Sequence, residues 1–359
     1  MVSNLEQALK PKVNKSATKF QKKTAQFAAS WYVAMKSREL GKKPKAIQLF
    51  GQSLVAWRDR QGKPTIMERF CSHMGASLAI GKVVEDCIQC PFHHWHFDSS
   101  GECVAIPEVA EPKVDHIPSS ARQVIYVTEE RYGYIWVWYG SATPLFSLPE
   151  FNAAESEKHN YMPYRFSCHL KTSVERMIEN AFDHLHVVTT HGMSVSQPIE
   201  LTLLSSKDIG EDELPIQQEA WFGSNINAYN QSFNDVSAFL KVLKLNFETF
   251  TTRVDAWPSG LIGIISTNGK QRYQVLTTIV PLANDEIVLQ ALVMINKTGN
   301  FLLDLIFYVI FGLVNKTIGM KDKPILDTID ADAGGAFIKT DRPVLKFREF
   351  YQSWVDKVE

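Results

Sequence analysis

Cys71-Ser-His73 and, after sixteen intervening residues, Cys90-Pro-Phe-His93 form the stretch on which the reading of this chain turns. Each pair brings one thiolate and one imidazole into a short loop. Two such loops held tip to tip can grip one binuclear iron–sulfur cluster, with the thiolates on one iron and neutral imidazoles on the other. Exchanging two thiolates for imidazoles raises the reduction potential, so the centre can take electrons from an ordinary ferredoxin and pass them on. Gly75, Pro91 and Gly101 supply the turn shapes that a close approach of backbone to a cluster needs. Cys87-Ile-Gln-Cys90 is also a Cys-x-x-Cys, so zinc on Cys71, His73, Cys87 and Cys90 is a competing use of the same residues. It leaves His93 and its aromatic neighbours Phe92, Trp95 and Phe97 without a role. Cys87, Cys103 and Cys168 read as small packed side chains, and His94 and His96 as ordinary surface or core histidines.

Around this stretch the chain reads as short strands broken by turns. Residues 46–50 and 53–57 flank Gly51-Gln52, expected to be a two-residue hairpin turn with Gly first. Residues 60–63 and 98–101 read as turns, 65–70 and 132–139 as strands. No long helix appears, so an all-β domain is expected over 29–142. Residues 1–28, polar at the start and dotted with lysines, read as a solvated arm without a signal peptide. Residues 140–163 are richer in Pro, Ser and Ala and read as a connection into a second domain over 143–359.

That second part opens with Thr172-Ser-Val-Glu175, the form of a capping box, starting a helix expected to run to about residue 188. It carries Asn180, Asp183, His186 and His191. Asp183 and His186 are three apart and share a helix face. His186 and His191 are five apart, about 140° of rotation, so the helix must bulge or end between them to bring both to one point. The β-branched run 187–190 fits a weakened helix there. Two His and one carboxylate on one face of an iron leave positions open for dioxygen and substrate. The missing carboxylate is assigned to Asp322 in Met320-Lys-Asp-Lys-Pro, over Asp304, Asp327, Asp330, Asp332 and Asp341, because its segment follows an apolar helix expected over 301–314. Asp183 is placed to accept the ring N–H of His186 and so fix its tautomer. Strands are expected at 246–257, 261–267, 272–282 and 286–295, with a last helix over 344–358.

At 359 residues, 45% apolar and 21% charged, with a net charge of −1, the chain has room for two cores and no charge bias toward nucleic acid or membrane. The apolar run 301–314 would span roughly 21 Å as a helix, short of a bilayer core of about 30 Å, so a buried helix is expected. Five cysteines make no disulfide framework and suit a reducing, cytoplasmic setting.

Together these motifs resemble those of the Rieske non-haem iron ring-hydroxylating oxygenases. The Cys71/His73 and Cys90/His93 pairs match the cluster motif, and Asn180, Asp183, His186 and His191 match Asn-x2-Asp-x2-His-x4-His. The resemblance implies an α+β protein, an all-β Rieske [2Fe–2S] domain plus a helix-grip, START-like catalytic domain with an antiparallel sheet. It implies a homotrimer in which one subunit's cluster lies beside its neighbour's mononuclear Fe(II), with Asp183 bridging His93 and His186. Dioxygen would be the co-substrate, and electrons would come from NAD(P)H through a separate ferredoxin or flavin reductase. Residues 28–35, 87–95, 130–141, 334–337 and 344–351 are similar, more closely, to the arylamine N-oxygenase branch, which shares the form His93-His94. The Lys-Asp322-Lys segment falls where that branch has its distal carboxylate. The expected function is therefore the oxygenase component acting on a small aromatic substrate, an arylamine nitrogen, with Asp183 and Asn180 in catalytic roles. Carbon hydroxylation, demethylation or desaturation by the same machinery is the alternative. An electron-transfer Rieske protein is the reading from another class. Phe301, Leu302, Phe307, Phe311 and Trp221 are expected to line an aromatic pocket, with 193–245 shaping it.

Overall fold

Hairpins come first, because four two-residue loops place both of their residues at positive φ: Phe50-Gly51, Glu85-Asp86, Tyr132-Gly133 and Asn268-Gly269. This is type I′ geometry, whose twist matches that of the flanking strands. The first loop differs from the expected Gly51-Gln52 turn. Leu49 pairs with Gln52, which leaves Phe50 at a φ of 55°. A Phe is strained there, and packing holds it. Its ring lies 4.4 Å, centroid to centroid, from Tyr139 and meets Phe27 and Tyr32 edge-on.

The computed structural model describes residues 26–107, 117–210, 213–229, 232–233, 248–330 and 335–359. The first domain is all-β, as expected. Its strands are β1 (Ser30–Lys36), β2 (Lys45–Leu49), β3 (Gln52–Arg58), β4 (Pro64–Glu68), β5 (Lys82–Val84), β6 (Cys87–Gln89), β7 (His96–Phe97), β8 (Cys103–Ala105), β9 (Ile125–Tyr126), β10 (Thr128–Arg131) and β11 (Tyr134–Tyr139). They form sheets ordered β1-β11-β10, β2-β3-β4-β9 and β5-β6-β7-β8. Most of the arm expected over 1–28 lies outside the described residues; of its last three, Gln26 is exposed while Phe27 and Ala28 are buried in the core.

The second domain continues with β12 (Tyr161–Leu170), α1 (Val174–Glu179), α2 (Leu185–Thr189), β13 (Glu200–Leu204), β14 (Phe222–Tyr229), β15 (Thr249–Trp257), β16 (Gly260–Thr267), β17 (Lys270–Ala283), β18 (Glu286–Asn296), α3 (Phe301–Leu326) and α4 (Arg342–Val355). One antiparallel sheet runs β12-β18-β17-β16-β15-β14-β13. Pro163, read from sequence as connection, sits on edge strand β12, where a missing N–H costs no central ladder bond. Helix α3 crosses β12 and β18, with Phe307, Ile310 and Phe311 packed against Val293 and Ile295. This is the helix-grip arrangement. Strands β13 and β14 lie in the segment for which the sequence suggested only a pocket.

Three helix expectations change. The cap of α1 is Ser173, not Thr172: its hydroxyl accepts from the Arg176 N–H. Helix α3 does not stop at 314 but runs 26 residues, capped by Asn300. Nor is it a buried helix, since Phe301 is 78% and Leu302 68% exposed. The length argument fails with it, as 26 residues reach about 39 Å.

The two domains share one core containing Trp31, Trp138, Trp257 and Trp354. The strained hairpin tip docks on β17, Phe50 N–H donating to the Pro281 carbonyl at 2.7 Å and Gly51 N–H to Leu282 at 2.8 Å. On α3, Gly312 permits close approach to β12, because a Cβ there would come within 2.6 Å of the Tyr164 ring. Gly312→Ala should therefore lower stability by about 1–3 kcal/mol, an overpacking cost, and loosen the seat of Asp322. An unchanged thermal unfolding midpoint would show that this approach does not constrain the helix.

Candidate metal centres

The two cluster loops have one design. In each, the residue four after the Cys has positive φ, Gly75 at 73° and His94 at 58°. Its N–H returns to the Cys carbonyl, Gly75 to Cys71 at 2.9 Å and His94 to Cys90 at 3.1 Å. The Cys N–H then closes on the carbonyl one residue further, Cys71 to Ala76 at 2.9 Å and Cys90 to Trp95 at 2.8 Å. The His73 and His93 rings end with centroids 4.7 Å apart. Both thiols are buried while both imidazoles face outward. Burial pushes the Cys71 thiol up to about 11, with the adjacent Cys90 thiol adding to the rise. A thiolate there needs a cation, which an iron supplies, so the donor set fits a [2Fe–2S] cluster. Among the described residues Cys71, His73, Cys87 and Cys90 do not bring three ligand atoms within 4.8 Å of one another, so the zinc alternative finds no support. His96 shares a 2.6 Å contact with Gln89 and takes no part.

Gln123 escaped the sequence reading. Buried, it accepts from the Ser72 N–H at 2.9 Å and donates to the Glu68 and Phe70 carbonyls at 3.1 and 2.9 Å. It thereby fixes the first loop from far along the chain. Gly101, which was expected to shape this region, has a φ of 83°, and a Cβ on it would meet the Gln123 carbonyl at 2.2 Å. Trp95 stacks on His73 at 4.3 Å and 5°, orienting the ring.

The second centre is built where the expected helix breaks. The helix ends between His186 and His191, as expected, because α2 stops at Thr189, and a further break falls at Asp183, whose backbone is extended. Asp183 therefore shares no helix face with His186. Its carboxylate accepts from the Leu185 N–H at 3.1 Å and more weakly from the His186 N–H at 3.4 Å, opening α2. The tautomer of His186 is fixed by the Asp183 backbone carbonyl, which accepts from Nδ1, while the nearer carboxylate oxygen for an ion pair is 3.9 Å away. His191 follows the end of α2, and the last turn of α3 brings in Asp322 with its Oδ1 3.2 Å from His191 Nε2. His186, His191 and Asp322 offer ligand atoms all within 4.8 Å of one another. Asn180 Nδ2 lies 3.3 Å from Asp322 Oδ2 and 3.5 Å from His186 Nε2. Other acids have other work: Asp304 binds Thr298, Asp327 pairs with Lys323 and accepts from the Lys171 N–H, and Asp341 caps Ile338. Asp332 lies outside the described residues.

A cavity of about 290 Å³ opens on this trio. Its walls include Phe166, Met177, Ile226, Phe250, Ile265 and Tyr273. None of the five expected lining residues belongs to it. Phe301 and Leu302 face outward, Phe307 and Phe311 pack between α3 and the sheet, and Trp221 is buried with its N–H on Asp255. His184 is a second residue the sequence did not single out. It is buried, its Nδ1 has no partner among the described residues, and burial pulls its pKa below the usual imidazole range.

Comparison with known proteins agrees with this geometry. The family model for the Rieske [2Fe–2S] domain matches residues 30–122. Aminopyrrolnitrin oxygenase PrnD of Pseudomonas fluorescens is 39% identical over 339 residues, covering 93% of either chain. This chain belongs to the Rieske oxygenases. Within that family, the oxygenase component of a 3-ketosteroid-9-alpha-monooxygenase from Rhodococcus rhodochrous is 29% identical over 46% of the chain and 43% of its own length. A crystal structure of dicamba monooxygenase bound to dicamba superposes with a TM-score of 0.72 at 17% identity, over 92% of this chain and 98% of that one. The fold is thus shared almost end to end.

Removing a ligand of either centre should affect that centre alone. Cys71→Ser or His93→Ala should abolish the cluster's visible absorption, and its survival would break the cluster assignment. His186→Ala, His191→Ala and Asp322→Ala should each lower iron by one per chain with the cluster spectrum intact, whereas Asp341→Ala should lose none. Iron analysis showing the reverse order for the two aspartates would move the distal ligand.

Proposed function

We propose that Cys71, His73, Cys90 and His93 hold the cluster, that His186, His191 and Asp322 hold a mononuclear Fe(II), and that this Rieske oxygenase oxygenates an arylamine nitrogen. The observation carrying the reading is the apolar cavity that ends on the His186/His191/Asp322 trio. When bound, the iron supplies dioxygen activation, with electrons relayed through the cluster from NAD(P)H by a separate ferredoxin or flavin reductase. The protein's own contribution is selection and placement. Phe166, Phe250 and Tyr273 offer aromatic walls, and burial pushes the Tyr273 hydroxyl up to about 12, so it stays neutral. Such walls favour a neutral amine over its ammonium form, leaving the nitrogen lone pair free. Arylamines are neutral near pH 7, so entry costs them little. Asn180, beside both Asp322 and His186, holds the carboxylate's second oxygen and restricts its swing.

The coupling of the two centres is proposed to run between subunits of a homotrimer. His93 faces outward, and the Asp183 side chain is 43% exposed, so each is free to meet a group on another molecule. Exposed apolar residues stand beside each: Phe92 at 60% and Met74 at 64% by the cluster, Leu185 at 41% by Asp183. These surfaces can cover one another. Asp183→Asn keeps the oxygen that opens α2, so both metals should remain while turnover nearly stops. Mixed trimers of a His93→Ala chain and a His186→Ala chain should regain activity. No rescue in verified mixed trimers would place the coupling within one chain.

The reaction is tested by mass spectrometry under ¹⁸O₂, with reductase, ferredoxin and NAD(P)H supplied, on arylamines and amine-free aromatics. Label on nitrogen, as hydroxylamine or nitro product, is expected. Label found on carbon alone would sink N-oxygenation and favour C-hydroxylation.

A further inference from the structure

The cavity holds a second polar point away from the metal trio. Asn315 on α3 and Tyr273 on β17 both line it, and the Asn315 amide hydrogen-bonds the Tyr273 hydroxyl. Asn315 precedes Asp322 by seven residues, so the two share one face of α3 about 10 Å apart along its axis. Ile318 and Gly319 fill the turns between and belong to the same wall. The sheet repeats this separation. Gly319 faces Phe166, which lies in one row with Ala291 and Thr277. Tyr273 stands four residues from Thr277 on β17, about 13 Å along the strand, with its ring 5.0 Å from Phe311. Packing alone does not call for an amide here. Phe311, Val314 and Ile318 around it are apolar, Asn is a weak helix former, and burying an amide costs desolvation.

We infer that Asn315 and Tyr273 select the substrate by binding a hydroxyl group carried about 10 Å from the end presented to the trio. The inference rests on the arylamine reading above and narrows it to amines long enough to reach both points. Hydrogen-bond direction decides which group fits. Asn315 Nδ2 donates to the Phe311 carbonyl at 2.8 Å, and a carbonyl only accepts, so the amide nitrogen must lie on that side. The bond between Asn315 and Tyr273 favours the phenolate, so there too Asn315 donates. Its Oδ1 is then left as an acceptor, and the Tyr273 hydroxyl keeps its own proton to give. One acceptor beside one donor is the complement of a hydroxyl, which can donate to Asn315 and accept from Tyr273 at once. A substrate that ends there in a plain C–H leaves both groups unpaired, and that penalty is what a site uses to reject it.

The test is calorimetric titration of the iron-loaded protein with para-aminobiphenyl, with and without a hydroxyl at the para position of its second ring. Wild type should bind the hydroxylated amine about tenfold more tightly. Asn315→Leu, close to Asn in shape, should bring the two affinities to parity. Tyr273→Phe, which keeps the ring on Phe311, should leave a preference of roughly threefold. Both variants should keep their iron and bind the plain amine within about twofold of wild type. Equal affinities in wild type, a preference undiminished in both variants, or binding of neither compound would overturn the inference. Product analysis of the same compounds under ¹⁸O₂ separates it from the reaction proposed above. Label on carbon with the preference intact removes N-oxygenation and supports the role of the pair. Label on nitrogen with no preference removes the role of the pair alone.

Discussion

The 3.2 Å contact between His191 Nε2 and Asp322 Oδ1 depends on two long-range packing decisions, and the catalytic domain is arranged around it. Asp322 arrives only because α3 is clamped on the sheet by Phe307, Ile310 and Phe311, with Gly312 letting the helix close on Tyr164. His186 and His191 arrive only because the chain stops being helical at Asp183 and starts again at Leu185. The helix before that break is anchored in turn. Buried Glu179 takes Arg348 at 2.6 Å and Arg176 at 2.7 Å, tying α1 to α4. Buried charges are stable only with such full hydrogen bonding. Shifting any of these elements moves one of the three candidate ligands away from the other two.

The cluster loops solve the same problem with local means. Each loop fixes its Cys by two short backbone bonds within six residues, and the glycine or histidine at positive φ makes the return possible. At His94 this backbone costs roughly 1–3 kcal/mol, which the loop bonds must offset. Phe50 carries the same kind of strain for a different end, holding the domains together through its two neighbouring bonds to β17. Strain in this protein therefore sits at a ligand loop and at the domain junction.

The cavity divides into two kinds of surface. Mostly aromatic and aliphatic walls come from β12 and β14 to β18, while Asn180, the two His and Asp322 gather at one polar end. Low dielectric at that end strengthens every interaction of the carboxylate with its neighbours. It also favours a neutral ligand. The apolar wall is thus built mainly by the sheet, and the candidate ligand trio by the helices at its mouth.

The sequence by itself singled out both candidate donor sets and determined the all-β and helix-grip fold class. Short spacings such as Cys-x-His or Asn-x2-Asp-x2-His are set by a few backbone torsions, so they survive reading in one dimension. Asp322 could be ranked above its rivals from segment order, but its place beside His191 is a tertiary fact. The break at Asp183, the clamp by Gln123 and the buried His184 had no signal at all, because each depends on a partner distant in the chain or on burial. The pocket was misassigned for one reason: an apolar residue states that it will be covered, not by what. Phe307 and Phe311 are covered by the sheet, Trp221 packs with its N–H on Asp255, and Phe301 and Leu302 are left exposed by the described residues. Only the tertiary structure assigns faces, since a helix has several and sequence periodicity cannot say which one meets the core.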